Sequence, residues 1–292
     1  MDARVLQDFL FLAMPGEPLG AALAGIFGLL IGSFLNVVIY RMPAMMQHES
    51  ENYVAQECGQ PLPHTERFNL MLPRSACPTC GHQITALENI PVVSYLALRG
   101  RCSQCKTTIS PRYAIVELLT GVLSAWLVWR FGAGVTGLAV LLFAYLLIAM
   151  TFIDADTQLL PDDLTLPLLW IGLLVNLNAT FVPLGDAVIG AAAGYLCLWT
   201  IFWLFKLVTG KDGMGYGDFK LLAALGAWLG WKMLPIILLM SSLVGAVVGI
   251  GLIVLAKRGR NVPMPFGPYL AGAGMLSLLY GKPLAQAWLG MM

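Results

Sequence analysis

The chain has 292 residues, of which 58% are hydrophobic and only 11% charged. Soluble domains carry about a quarter charged residues, so this composition points away from a soluble domain and towards the membrane class. A formal net charge of +1 says nothing about nucleic acid, which is not expected as a partner; the placement of the charges informs instead.

The first segment, "MDARVLQDFLFLAMPGEPLG", carries Asp2 and Asp8 where a signal peptide would carry a basic run. No small-residue cleavage pattern follows the first long apolar stretch, so residues 1–18 read as a tail on the outer side. Eight apolar stretches follow, at 19–40, 113–130, 133–153, 164–182, 185–208, 218–232, 234–256 and 267–289. A spanning helix needs roughly 20 apolar residues to cross about 30 Å of hydrocarbon, and the sixth stretch is short of that. Charge placement retains it. With eight spans and both ends outside, only Arg4, Arg130, Lys232 and Lys282 of the 17 Lys and Arg fall outside, as the positive-inside rule expects. The expected fold class is an all-α polytopic membrane protein with about eight transmembrane helices. A small cytoplasmic, zinc-ribbon-like segment (41–112) lies between spans one and two, and residues 113–292 form a core of about seven helices.

Within span one, "GSFLNVVIYR" puts Ser33, Asn36 and Tyr40 on one helical face, which reads as helix packing. The cytoplasmic segment begins as a polar, proline-punctuated stretch up to Ser75, expected to be mostly loop. It then presents "CPTC", 21 residues from Gly81 to Arg101, and "CSQC". Two C-x-x-C pairs at this separation suit a closed site in which Cys77, Cys80, Cys102 and Cys105 hold structural Zn²⁺. A reducing cytoplasm makes disulfides the poorer explanation. His82 reads as an exposed residue of the first knuckle, the alternative being that it replaces one thiolate, and Cys58 and Cys197 read as ordinary cysteines. Glu117, near the start of span two, is either an intramembrane functional acid or an acid at interface depth near Arg112.

Span three ends in "MTFIDADTQLLPDDLTLP" and span six opens with Asp218 behind "GMGYG". In the eight-span topology both ends lie at the cytoplasmic face. Asp154 follows an unbroken apolar run and is the acid nearest the hydrocarbon, whereas Asp156 should be wetter. Asp162 and Asp163 complement the dipole at the start of span four. Asp154 and Asp218 read as a proton-sharing pair able to hydrolyse a peptide bond, because two carboxyls held close do not both ionise easily. The alternatives are an N-cap for Asp218 and a loop acid for Asp154. Gly215 and Gly217 would permit unusual backbone angles and clear space for a substrate backbone. "PMPFGPYLAG" (263–272) opens span eight with prolines and a glycine, a broken helix start that could line a cavity at the same face.

Taken in order, "GSFLNVVIYR", "CPTC", "CSQC", "FIDADTQLLPD", "GMGYGD" and "PFGPYL" resemble the type IV prepilin peptidases of bacterial inner membranes, from residue 20 onward. The resemblance implies a bifunctional leader peptidase and N-methyltransferase with catalytic aspartates at Asp154 and Asp218, the second in the family's G-x-G-D signature. It implies prepilins and the pseudopilins of type II secretion as substrates, cut at the cytoplasmic face of the inner membrane. It also implies S-adenosylmethionine as methyl donor, for which no binding residues are assigned. Oligomeric state is left open. Two other readings remain: an ion- or proton-coupled transporter using the buried acids, and a membrane scaffold whose zinc module recruits a partner.

Overall fold

The computed structural model describes residues 14–211, 213–255 and 264–289. Residues 1–13 of the tail, including Arg4, and the basic cluster Lys257, Arg258 and Arg260 lie outside the described residues. In chain order the helices are α1 (Pro18–Glu57), α2 (Val93–Ala97), α3 (Arg112–Phe131), α4 (Val135–Thr157), α5 (Asp162–Val175), α6 (Leu184–Thr209), α7 (Tyr216–Leu229), α8 (Leu234–Leu255) and α9 (Gly267–Leu289). No strand occurs among the described residues; two isolated antiparallel bridges pair Ala76 with Gln83 and Arg101 with Thr108. Five described stretches are long and apolar enough to cross a membrane: α1, α3, α4, α6 and Trp231–Leu255, which contains α8. The chain divides into two compact units, residues 1–145 and 146–292, with the boundary inside α4.

In the first unit α1 packs along α3. Small residues let the two backbones approach: a Cβ at Gly25 would stand 3.2 Å from the Ala125 Cβ, and one at Gly32 would stand 2.7 Å from the Glu117 Cα. The 40 residues of α1 span about 60 Å, roughly twice the hydrocarbon thickness. The loop expected after residue 40 is therefore helical as far as Glu57. Beyond Pro43 the sequence "AMMQHESENYVAQE" lacks glycine and proline and is rich in strong helix formers. Tertiary contacts hold the same place: buried Arg41 donates to the carbonyls of Asn69 (2.8 Å) and Pro73 (2.5 Å).

In the second unit the shortest of the eight apolar stretches lies at the centre. The 14 residues of α7 reach about 21 Å, less than a bilayer core. From Asp218 to Leu229 every residue except Lys220 is buried, with α5, α6 and α9 packed around them. Gly190 of α6 and Gly226 of α7 bring their backbones into direct contact, and a Cβ at Gly194 would stand 2.7 Å from the Leu222 carbonyl oxygen. Trp228 is fully buried and donates its indole N–H to the Leu168 carbonyl at 2.8 Å. Asn176 closes the far end of α7. Its amide donates to the Ala227 and Trp228 carbonyls at 2.9 and 3.1 Å, and its carbonyl accepts from the N–H groups of Phe181 and Val182 at 3.0 and 3.2 Å. That turn stops α5 at Val175, short of the 182 expected from apolarity.

Candidate active site and metal centre

Asp154 lies in the last turn of α4 and is 4% exposed. The apolar residues before it, from Ala144 to Ile153, carry it inward, and its Oδ2 accepts the backbone N–H of Gly267 at 2.8 Å. Gly267 is the first residue of α9, where backbone N–H groups have no helical acceptor and present partial positive charge to an anion. Glycine is required there by space: a Cβ would stand 2.7 Å from Asp154 Oδ2 and 3.1 Å from its Cγ.

Asp218 is the third residue of α7 and is 7% exposed. Gly215 caps that helix, and the Asp218 N–H reaches the Gly215 carbonyl at 3.3 Å. Asp154 and Asp218 interact electrostatically. The C-terminal end of α4 and the N-terminal ends of α7 and α9 thus place two buried carboxyls and one fixed donor together. Such a pair can hold a proton between its members, take one from water, and give one to a carbonyl.

The two glycines before Asp218 differ from each other. Neither has the unusual backbone angles expected of it: Gly215 sits at φ −82°, ψ 153°, and Gly217 lies inside the helix. Gly217 is explained by packing, since a Cβ there would stand 2.6 Å from the Leu160 Cβ. Among the described residues a Cβ at Gly215 would meet only the Gly217 nitrogen, 4.0 Å away, so this position is open with respect to them.

Asp156 is exposed, as expected. Asp162 and Asp163 occupy the first turn of α5, and Asp162 also accepts Lys220 Nζ at 2.6 and 2.7 Å. Sequence reasoning did not foresee that ion pair or the Gly267 donor. The only signal for the latter was a glycine between two prolines in "PFGPYL".

In the first unit the Sγ atoms of Cys77, Cys80, Cys102 and Cys105 all lie within 4.8 Å of one another and could hold a metal ion. The two C-x-x-C turns share one construction. The N–H of the first cysteine donates to the carbonyl five residues on, Cys77 to His82 and Cys102 to Thr107, both at 2.9 Å. The residue after the second cysteine takes positive φ, Gly81 at 72° and Lys106 at 60°. His82 is half-buried rather than exposed, and its ring meets the Glu88 carboxylate at 3.1 Å instead of joining the thiols. Hydrogen bonds from Ser103 and from the backbone and hydroxyl of Thr85 hold the Glu88 carboxyl down at about 2. Cys58 and Cys197 stand outside the cluster as free thiols.

Ser33, Asn36 and Tyr40 do more than pack against a helix. Together with Arg41, Tyr95, Tyr113 and Glu117 they line a cavity of about 580 Å³ in the first unit, bounded by α1, α2, α3 and the cysteine turns.

Residues 26–131 match the Bacterial Peptidase A24 N-terminal domain, and residues 141–250 match the Type IV leader peptidase family. The chain is 58% identical over 272 residues to a prepilin leader peptidase/N-methyltransferase of Aeromonas salmonicida, covering 92% of this chain and 93% of that one. Similarity to the proteins of the same description from Pseudomonas aeruginosa (53%, covering 94% and 96%) and Burkholderia pseudomallei (50%, covering 94% and 89%) is nearly as extensive. No solved structure matches the chain. With both halves matched, and relatives this similar along almost their whole length, the chain belongs to the type IV leader peptidase family.

Proposed function

We propose that Asp154 and Asp218 are the catalytic pair of a membrane-embedded prepilin leader peptidase that also N-methylates the newly exposed N-terminus. One observation carries this reading: two buried, interacting carboxyls, with Asp154 anchored by the Gly267 N–H, within a unit matched by the leader peptidase family. The ionised member takes a proton from the attacking water while the protonated member hydrogen-bonds the scissile carbonyl. The open space at Gly215 is where an extended substrate backbone can approach. The transporter alternative finds no support among the relatives.

The substrates are prepilins and pseudopilins, whose basic leader stays in the cytoplasm while the apolar helix behind it stays in lipid. Eight spans put both aspartates at the cytoplasmic face of the bacterial inner membrane. α7 is then a short span enclosed by protein, α5 a short span with one exposed apolar face (Leu166, Trp170, Leu174), and α9, which bends at Tyr280, is the last.

The ion of the four-cysteine cluster is zinc. A tetrahedron with Zn–S bonds of about 2.3 Å has S···S edges of about 3.8 Å. Cys77 and Cys105 stand 3.7 Å apart, Cys80 and Cys102 3.9 Å. Four thiolates leave no open position, so zinc here holds the segment together. S-adenosylmethionine is the methyl donor.

Purified protein in detergent, incubated with a prepilin and followed by substrate size, tests the peptidase reading. Asp154→Asn and Asp218→Asn should each abolish cleavage while the protein stays folded. A variant that cuts at the normal rate removes that aspartate from the mechanism.

A further inference from the structure

None of the groups proposed for peptide cleavage lines the cavity in the first unit. Its volume of about 580 Å³ lies within the roughly 300–1,000 Å³ typical of small-molecule sites. Along α1 its lining is polar through Ser33 and Asn36 and aromatic at Tyr40, and Tyr95 and Tyr113 add aromatic rings from outside α1. Ser33 and Glu117 are the lining residues furthest into the two spanning helices α1 and α3.

Glu117 is the unusual member. It is only 8% exposed, and Gly32 allows α1 to close over it. Its Oε2 accepts the Val92 N–H at 2.7 Å, from a residue held at φ 60°, and the Ser33 hydroxyl lies beside it in the lining. Both partners are neutral. Arg41, the buried cation of the same lining, donates instead to the Asn69 and Pro73 carbonyls. Arg74 and Arg101 line the far end beside the cysteine turns and are exposed. A buried carboxylate whose neighbours are neutral donors, facing a cavity, is built to receive a cation.

We propose that this cavity is the methyl-transfer site and that Glu117 is the catalytic residue that receives the substrate's new N-terminal ammonium. This rests on the reading above that S-adenosylmethionine is the donor. The residues fit that donor: aromatic faces favour a sulfonium as they favour other cations, and the space suits a nucleoside. They also fit the acceptor, an ammonium at the head of an apolar helix, because Glu117 lies at the head of a membrane helix. When bound, the donor supplies an electrophilic methyl group on positively charged sulfur. Glu117 takes a proton from the ammonium, and the freed amine lone pair forms the N–C bond. The C–S bond breaks with its electron pair returning to sulfur, leaving a neutral thioether and a protonated methylamine.

The test uses the full-length, zinc-bound protein in detergent and a synthetic apolar peptide that already has its free N-terminus, so cleavage plays no part. Calorimetric binding of S-adenosylhomocysteine reads the donor site; mass spectrometry of the peptide reads methyl transfer. Glu117→Gln should bind S-adenosylhomocysteine about as tightly as the parent, yet lose about 100-fold or more in kcat. Ala114→Phe, which fills the cavity beside Glu117, should weaken S-adenosylhomocysteine binding by about tenfold or more. Unchanged kcat in the first variant, or unchanged binding in the second, overturns the proposal. Loss of S-adenosylhomocysteine binding in a zinc-retaining Glu117→Gln overturns the amine role specifically. If Glu117→Gln sheds its zinc, Ala114→Phe decides alone, since it alters neither the carboxylate nor the cysteine turns. A parent protein that methylates the peptide but binds no S-adenosylhomocysteine removes the donor assignment itself.

Discussion

The two units each bury acid in a membrane helix, and they do so in different ways. In the second unit Asp154 and Asp218 interact with each other, and a backbone N–H fixes one of them. In the first, Glu117 accepts the Val92 N–H, has the Ser33 hydroxyl beside it, and faces a cavity. Two acids together can keep a proton between them, which suits hydrolysis. One acid among neutral donors, facing a cavity, still has acceptor capacity to offer an amine, which suits binding one. The scaffolds differ as well: glycine-mediated helix contacts hold the second unit, whereas a four-thiol cluster and an arginine clamp hold the non-helical part of the first. Sites built so differently should fail separately.

The largest effect should come from the paired acids. Asp154→Asn or Asp218→Asn should lower prepilin cleavage by about 10³-fold or more, as loss of a proton-transfer group does. Methylation of an already trimmed peptide should continue at the parent rate. A peptide-methylation assay beside a gel assay of cleavage checks both, and loss of the two activities together would falsify the separation of sites.

Metal removal should act the other way. Chelation, or Cys77→Ser with Cys102→Ser, removes the tie between turns that supply part of the cavity wall, Cys77 and Cys102 among them. S-adenosylhomocysteine binding and methylation should disappear, while cleavage falls by no more than about tenfold, because no group proposed for hydrolysis lies in that segment. Metal analysis alongside both assays gives the outcome; equal loss of both activities would mean that the four-cysteine segment serves cleavage too.

Two glycines sharpen the view of the second unit. Gly267→Ala would put a methyl group against the Asp154 carboxylate, and a displacement of about 1 Å in a reacting group costs about 10²-fold in rate. Gly215→Ala meets no atom of the described residues nearer than 4.0 Å and has an ordinary backbone conformation, so thermal stability should stay the same. A rise in KM in that variant, with kcat retained, would mark Gly215 as the place where substrate backbone passes.

Much of this architecture was legible in the chain itself. Apolar runs gave the long helices, and paired C-x-x-C spacing gave the cluster, because both depend on local sequence periods. The helix from Arg41 to Glu57 was hidden by its polarity: it leaves the apolar stretch, so hydropathy does not follow it. α7 looked weak because length was weighed against lipid, whereas its neighbours are α5, α6 and α9. The contacts that matter most at the acids, Gly267 to Asp154 and Val92 to Glu117, join positions 113 and 25 residues apart through backbone N–H groups. Any residue type except proline has such a group, so it leaves no mark in the sequence. The polar stripe of Ser33, Asn36 and Tyr40 was visible, but a stripe reads the same whether it meets a helix or a cavity.

The smallest effect should belong to the most conspicuous ion pair. Lys220 Nζ meets both Asp162 oxygens, two residues beyond Asp218, yet their side chains are 29% and 54% exposed. Partly exposed pairs contribute about 0–1 kcal/mol and weaken with salt. A double-mutant cycle of Lys220→Gln and Asp162→Asn should therefore show a coupling below about 1 kcal/mol in thermal unfolding, with cleavage changed by no more than about threefold. Asp218 is positioned by the buried body of α7, with Gly217 against Leu160 and Trp228 bonded to Leu168, and all of that survives both substitutions. A coupling above about 2 kcal/mol, or one insensitive to salt, would mean the pair is shielded from water and helps to fix the start of α7. Lys220 would then count among the groups that position Asp218, and burial of the carboxylates alone would no longer account for the second unit's chemistry.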